Sequence, residues 1–207
     1  MEDINLRGKI TVITGPPDSG KSNLVKYLLT LPAYRRHLVY DPMFGFDAKT
    51  HNVIRPPNNQ HKYRRYEKGN EELNHAADKF VLSPDKSERP SYFVVDEAGR
   101  LLPNQKDEGP AIGEINDFNA HYGIGLWVVG QRLAQINSDL ENKAVHHFVC
   151  GYMGKNDKQT LRQYHEDAPE ALDNIKSQDP FGFIYIGANG QLRQFKSVPE
   201  VGSKGQL

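Results

Sequence analysis

The sequence is poor in cysteine, in tryptophan and in net charge. Cys150 is the only cysteine among 207 residues, which excludes an intramolecular disulfide framework and a cysteine-based zinc site. Lys and Arg number 26, as do Asp and Glu, so the formal net charge is zero. That balance excludes a wholesale basic coat for nucleic acid and the strongly acidic surface of a salt-adapted protein. Any nucleic-acid contact must come from a local patch. Long hydrophobic runs are missing too. The longest, Ile124 to Val129, is far too short to cross a bilayer. The opening residues M-E-D-I-N lack the basic-then-apolar pattern of a signal peptide. There is no internal repeat and no low-complexity block. An apolar fraction of 37% with 25% charged residues excludes a disordered or collagen-like chain. These absences predict one soluble intracellular domain over residues 1–207, with a core at about 8–196, a tail at 197–207 and no membrane span.

Apolar patterning predicts strands at Lys9 to Thr14, His37 to Tyr40, Ser91 to Val95, Ile124 to Val129 and Val145 to Val149. Helices are expected at Ser22 to Leu31, Glu71 to Leu82, Pro110 to Tyr122 and, broken near Pro169, Lys155 to Lys176. Leu73, Ala76, Ala77 and Phe80 form the expected apolar face of the second. Asn52 to Gln60 reads as a loop and His61 to Tyr66 as a short edge strand. Phe181 to Ile186 and Leu192 to Phe195 form a hairpin across Asn189-Gly190. Strands alternating with helices predict an α/β fold with a mostly parallel central sheet flanked by helices. Ligands of such sheets lie at the C-terminal strand ends. Asp41, Asp96-Glu97 and Gln131 all follow such ends.

Gly15 to Ser22 reads G-P-P-D-S-G-K-S. It matches the phosphate loop G-x-x-x-x-G-K-[ST], between a strand and a helix as the chemistry requires. Backbone N–H groups of such a loop converge on phosphate oxygens, and the helix N-terminus adds a favourable dipole. Pro16 and Pro17 lack N–H groups, but the donors from Asp18 to Ser22 remain. The expected nucleotide contacts are Gly15, Asp18, Ser19, Gly20, Lys21, Ser22 and Asn23. Lys21 would reach the β- and γ-phosphates, and the Ser22 hydroxyl would ligand Mg²⁺. An acid at Asp18 is awkward beside phosphates, so its side chain is expected to point outward or bind a neighbour.

Tyr92 to Glu97, Y-F-V-V-D-E, is the natural partner of such a loop. Asp96 would order the metal shell and Glu97 would polarise the attacking water. Hydrolysing motors need that second acid, whereas nucleotide kinases do not. Gln131 can sense a γ-phosphate or the attacking water, although taken in isolation a polar residue where a strand leaves the core is the better reading.

Together these segments resemble the FtsK–HerA superfamily of DNA-pumping ATPases. They are most similar to the genome-packaging ATPases of membrane-containing icosahedral double-stranded DNA viruses. Carrying residues are Gly15 to Ser22, Leu38 to Pro42 (L-V-Y-D-P), Tyr92 to Glu97, Asn119 to Arg132 (N-A-H-Y-G-I-G-L-W-V-V-G-Q-R) and Gly182 to Leu192. The resemblance covers about residues 8 to 196. It implies a RecA-like P-loop NTPase core of the ASCE type, with the Gln131 strand between the phosphate-loop and Asp96 strands. It implies ATP and Mg²⁺ as cofactors, with Lys21, Glu97 and Gln131 in the catalytic roles above. It also implies a homo-oligomeric ring of about five or six subunits around double-stranded DNA, in the host cytoplasm and, at the packaging vertex, against capsid or vertex proteins. Relatives often carry an arginine finger just before the glycine-flanked strand. Here Ala120 and His121 stand there, which leaves Arg100, Arg132 and Arg162 as alternatives.

Lys155 and Lys158, with Arg162 nearby, are the candidate DNA contacts. Arg55 to Lys68 interleaves basic residues with Tyr63 and Tyr66; a charge-protected edge strand explains it better than a nucleic-acid site. His146-His147 lack metal-ligand spacing, and Cys150 and Trp127 read as core. The alternatives to a packaging motor are a filamentous-phage-type assembly or secretion ATPase and a nucleotide-binding structural virion protein with little turnover.

Overall fold

The computed structural model describes residue 1 and residues 3–56, 66–85 and 89–201. Eight strands form one sheet: β1 (Ile10–Thr14), β2 (His37–Tyr40), β3 (Val53–Ile54), β4 (Tyr92–Val95), β5 (Gly125–Gly130), β6 (His146–Val149), β7 (Phe183–Ile186) and β8 (Leu192–Phe195). Their order is β3-β2-β4-β5-β1-β6-β7-β8. Pairing is parallel from β3 through β6 and antiparallel across β6–β7 and β7–β8. β5 therefore lies between β1 and β4, as the resemblance implies. The helices are α1 (Lys21–Thr30), α2 (Tyr66–Ala76), α3 (Ala98–Leu101), α4 (Pro110–Tyr122), α5 (Ser138–Lys143), α6 (Lys155–Tyr164) and α7 (Ala168–Gln178). This is the expected mostly parallel α/β sheet with a C-terminal hairpin.

Strand side chains alternate between two cores. On β5, Leu126 and Val128 enter one core, while Trp127 and Val129 enter the other. The second core holds Trp127 edge-on to Tyr34, with Tyr92 also packed against it. It also receives Leu24, Val25, Leu28 and Leu29, the apolar face read for α1. Burying one such large side chain stabilises the fold by roughly 1.5–3 kcal/mol. His146 and His147 are buried in β6; His146 Nδ1 lies 2.7 Å from the Tyr185 hydroxyl. Burial holds both imidazoles below the usual histidine range, which fits their structural reading.

The structure departs from the sequence reading at several places. Val53–Ile54, inside the expected loop, pairs in parallel with Val39 and Tyr40 as the sheet's edge. Most of the expected edge strand at 61–66, including Lys62, Tyr63, Arg64 and Arg65, lies outside the described residues, and Tyr66 opens α2 instead. α2 also does not continue regularly to Leu82. Ala77–Val81 is a π-helical turn, closed by Leu82 N–H donating to the Ala77 carbonyl at 3.0 Å. The wider turn rotates the register. Val81 is buried, and Phe80 is turned out with Lys79 Nζ 5.0 Å from its ring centre. The expected break near Pro169 falls at 165–167, and Pro169 sits in the first turn of α7, where no N–H is needed. α5 was not foreseen; the Asn137 side chain caps it by accepting from the Asp139 and Leu140 N–H groups. Of the expected tail at 197–207, residues 197–201 are held by hydrogen bonds at Ser197 and Val201, and 202–207 lie outside the described residues.

Candidate functional site

The phosphate loop leaves β1 at Thr14 and turns into α1 at Lys21. Gly20 adopts φ 89° there, a left-handed conformation that favours glycine. Gly15 has no room for a side chain, since a Cβ would lie 2.5 Å from Ser19 Oγ and 2.9 Å from Cys150 Cβ. Ser19 N–H donates to the Pro16 carbonyl at 3.3 Å and closes the loop. No side chain caps the start of α1, so its leading N–H groups face the cleft, the arrangement that binds anions. Ser19 Oγ is buried without a partner. A cleft of about 350 Å³ lies over this loop and is lined by Pro16, Asp18 to Asn23 and Phe181. Asp18 is exposed at the rim of this cleft.

The acids arrive through strand register. Tyr40 pairs with Val95, so the next residues, Asp41 and Asp96, emerge side by side. Val95 in turn pairs with Val128, and Thr14 with Gly130. Asp96 and Gln131 thus leave neighbouring strands at the edge that carries the phosphate loop. Burial pushes the Asp96 carboxyl up to about 6, opposed first by a hydrogen bond from the Glu97 backbone N–H and then by the charge of Lys21, while the charges of Glu97 and Asp41 raise it. Asp41 is fully buried and accepts N–H bonds from Met43, Gly45 and Phe46, at 3.3, 3.0 and 2.9 Å. It ties down the loop after β2, a role the sequence reading did not assign. Glu97 follows in a left-handed conformation, φ 53°, at the head of α3.

Among the described residues, no three His, Cys, Asp or Glu side chains converge into a metal cage. A Ser22 hydroxyl and an Asp96 carboxylate are oxygen donors of the kind Mg²⁺ takes when phosphates and water complete its shell. A carboxylate raised by burial and by neighbouring acids is also a place where a cation relieves charge.

The other predicted residues separate into two groups. Arg132 is bound within its own chain, donating to Asp157 Oδ1 from Nε at 3.1 Å and from a terminal nitrogen at 2.8 Å. Gln131 and Arg132 line a small cavity with Thr14, Gly151, Tyr152 and Asp157. Arg100 is exposed and lies 3.5 Å from Glu97. Arg162 is exposed on α6 and pairs with Glu170. Lys158 pairs with Asp173 at 2.8 Å and lies over the Tyr152 ring, whereas Lys155 is exposed at the start of α6.

Two residues from the C-terminal part of the chain, Lys176 and Phe181, lie against the phosphate loop. Lys176 Nζ reaches the Ser19 carbonyl at 3.5 Å and the Pro180 carbonyl at 2.7 Å. Phe181 packs beside Gly20. Asn23, expected to contact nucleotide, turns its side chain to the chain's end: Nδ2 donates to the Val198 and Pro199 carbonyls and Oδ1 accepts from Val201 N–H. No local pattern marks Lys176 or Phe181, because each lies more than 150 positions from the loop it serves.

No protein-family model and no curated protein matches the sequence. Solved structures do match. The genome packaging NTPase B204 from Sulfolobus turreted icosahedral virus 2, in complex with AMPPCP, superposes with a TM-score of 0.70 at 20% identity. The match covers 95% of this chain and 100% of that one. The same NTPase with ATP-γS gives 0.66 at 18% identity, with the same coverage of both chains. The pCW3 conjugation coupling protein TcpA with ATP-γS gives 0.57 at 15% identity, over 93% of this chain and 60% of that one. The chain has the RecA-like P-loop NTPase fold.

Proposed function

We propose that this chain is a Mg²⁺-dependent ATPase that drives double-stranded viral DNA into a preformed capsid, acting as a ring of subunits at the packaging vertex. The observation that carries the reading is the strand register that brings the ends of β1, β4 and β5, and with them the Gly15–Ser22 loop, Asp96 and Gln131, to one sheet edge. Support comes from the likeness to the B204 packaging NTPase over nearly the full length of both chains. Bound Mg²⁺ would neutralise charge on the triphosphate and hold its oxygens in place.

The chain's own residues supply the rest. N–H groups from Asp18 to Ser22 and the Lys21 ammonium hold the phosphates. Ser22 and Asp96 hold the cation. Glu97 takes a proton from the attacking water, and Gln131 orients that water and reports its loss to the Arg132–Asp157 joint. Arg100 and Arg162, both exposed, are the candidates for an arginine supplied to a neighbouring subunit. Arg132 is committed to Asp157. Among the described residues no helix is long and apolar enough to cross a membrane, in keeping with action in the host cytoplasm and at the virion vertex.

The test is steady-state hydrolysis with and without duplex DNA over a range of salt. A motor gives DNA-stimulated, sequence-independent turnover whose DNA affinity falls with salt, with a slope of about 0.9 per phosphate neutralised. Lys155→Ala combined with Lys158→Ala should reduce that slope. Unstimulated, salt-insensitive turnover would favour a structural virion protein.

A further inference from the structure

Phe181 is a large aromatic side chain left 53% exposed in the wall of the phosphate-loop cleft. Its Cβ and Cδ1 lie 3.4 and 3.5 Å from where a Cβ on Gly20 would sit. The ring is therefore against the last turn of the loop, at the mouth of the cleft. It is not a loose surface side chain. Phe181 N–H donates to Asp179 Oδ1 at 2.9 Å, and the other oxygen of the same carboxylate accepts Ser197 N–H at 2.7 Å. Gly182 N–H donates to the Asp179 carbonyl at 2.9 Å, and Lys176 holds the Pro180 carbonyl at 2.7 Å. Four hydrogen bonds thus fix the four-residue turn from Asp179 to Gly182 that presents one ring to the cleft. Those contacts also hold the Asp179 carboxyl below the usual range.

We infer that Phe181 is the stacking platform for the base of the bound nucleotide, and that the site takes purine nucleoside triphosphates with little preference between adenine and guanine. This deepens the proposed ATPase reading and rests on it. A flat ring offers a π-face, which every base can use, and the larger purine face gains most. Telling adenine from guanine needs polar groups at the base edge. Among the described residues lining the cleft, the polar side chains either belong to the phosphate loop or, for Asn23, are engaged by the chain's C-terminal segment.

The test is equilibrium binding of ATP, GTP, CTP and inorganic triphosphate to the full chain and to Phe181→Ala, Phe181→Trp and Lys21→Ala. Phe181→Ala should lose ATP and GTP affinity by on the order of tenfold and keep its triphosphate affinity. That retained affinity also shows the variant is folded. Phe181→Trp should bind ATP at least as well as the parent chain, and the parent should rank ATP and GTP together above CTP. The inference is overturned if Phe181→Ala binds ATP normally, or loses triphosphate as much as ATP. A parent preference for ATP over GTP beyond tenfold overturns it as well. If the parent chain bound no triphosphate, or Lys21→Ala bound it unchanged, the phosphate-loop reading itself would fall.

Discussion

Arg132 and Asp157 are locked together: two guanidinium nitrogens meet one carboxylate oxygen at 2.8 and 3.1 Å, while the other oxygen accepts Met153 N–H at 2.8 Å. Asp157 is buried. The pair joins the residue after Gln131 to the start of α6, and so links the end of β5 to the segment that carries Lys155 and Lys158. Removing Arg132 leaves a buried carboxylate without its charge partner, which is strongly destabilising. Arg132→Ala should therefore lower the melting temperature clearly more than Arg162→Ala, whose partner Glu170 is exposed. Equal melting curves for the two variants would show that the pair does not brace the fold.

Glu97→Gln should keep nucleotide affinity and lose turnover by about 10²- to 10⁴-fold, the usual contribution of a positioned general base. Lys21→Ala should weaken binding itself. Equilibrium titration beside single-turnover hydrolysis separates the two effects. Near-normal hydrolysis by Glu97→Gln would remove Glu97 from the role of base.

If a neighbour completes each site, turnover per subunit should rise with protein concentration. An arginine supplied in trans is worth roughly 10³ to 10⁵ in rate in comparable phosphoryl chemistry. Arg100→Ala and Arg162→Ala, each mixed with an inactive Glu97→Gln partner, identify the donor. The true finger variant regains activity in the mixture, because its own intact Glu97 then meets a neighbour's arginine. Linear concentration dependence with no rescue in either mixture would exclude a shared site.

Asp96 yields a pH dependence with a definite sign. Its carboxyl is raised to about 6 in the folded chain, above its value in an unfolded one. The folded state therefore holds the proton more tightly, and the stability this gives is present in acid and lost as pH rises from about 4 to 6. Asp96→Asn should raise the melting temperature of the nucleotide-free protein at pH 7.5 and have a smaller effect near pH 4. Mg²⁺ needs the ionised carboxylate, so its affinity should weaken below pH 6 by up to about tenfold per pH unit, with proton uptake on release. Calorimetry in buffers of differing ionisation enthalpy measures that proton. A pH-independent Mg²⁺ affinity between pH 5 and 7 would argue against Asp96 as a ligand.

The phosphate loop was legible because its chemistry is local: eight consecutive residues between an apolar strand and an amphipathic helix. Asp96 and Gln131 were legible for a related reason, each being the first polar residue after a buried strand. The Ala77–Val81 turn was not legible, since one extra residue per turn leaves the apolar spacing looking helical while exchanging Phe80 for Val81 in the core. β3 was missed because two residues carry no periodicity, and only the neighbouring β2 makes them a strand. The Asn137 cap before Ser138-Asp139 was a usable signal for α5. Lys176 and Phe181 left no trace in the sequence, because they meet the loop only when β6, β7 and β8 fold back beside β1.

That late meeting has a consequence for how the protein is made. A ribosome releases the phosphate loop early, but Lys176 and Phe181, which lie against it, come near the end of synthesis, and the Val201–Asn23 bond joins residues 178 positions apart. A nascent or truncated subunit ending before Lys176 can present the G-P-P-D-S-G-K-S segment without the wall that shapes its cleft. The full wall of the cleft, with Phe181 against Gly20, is in place only once the last strands have formed.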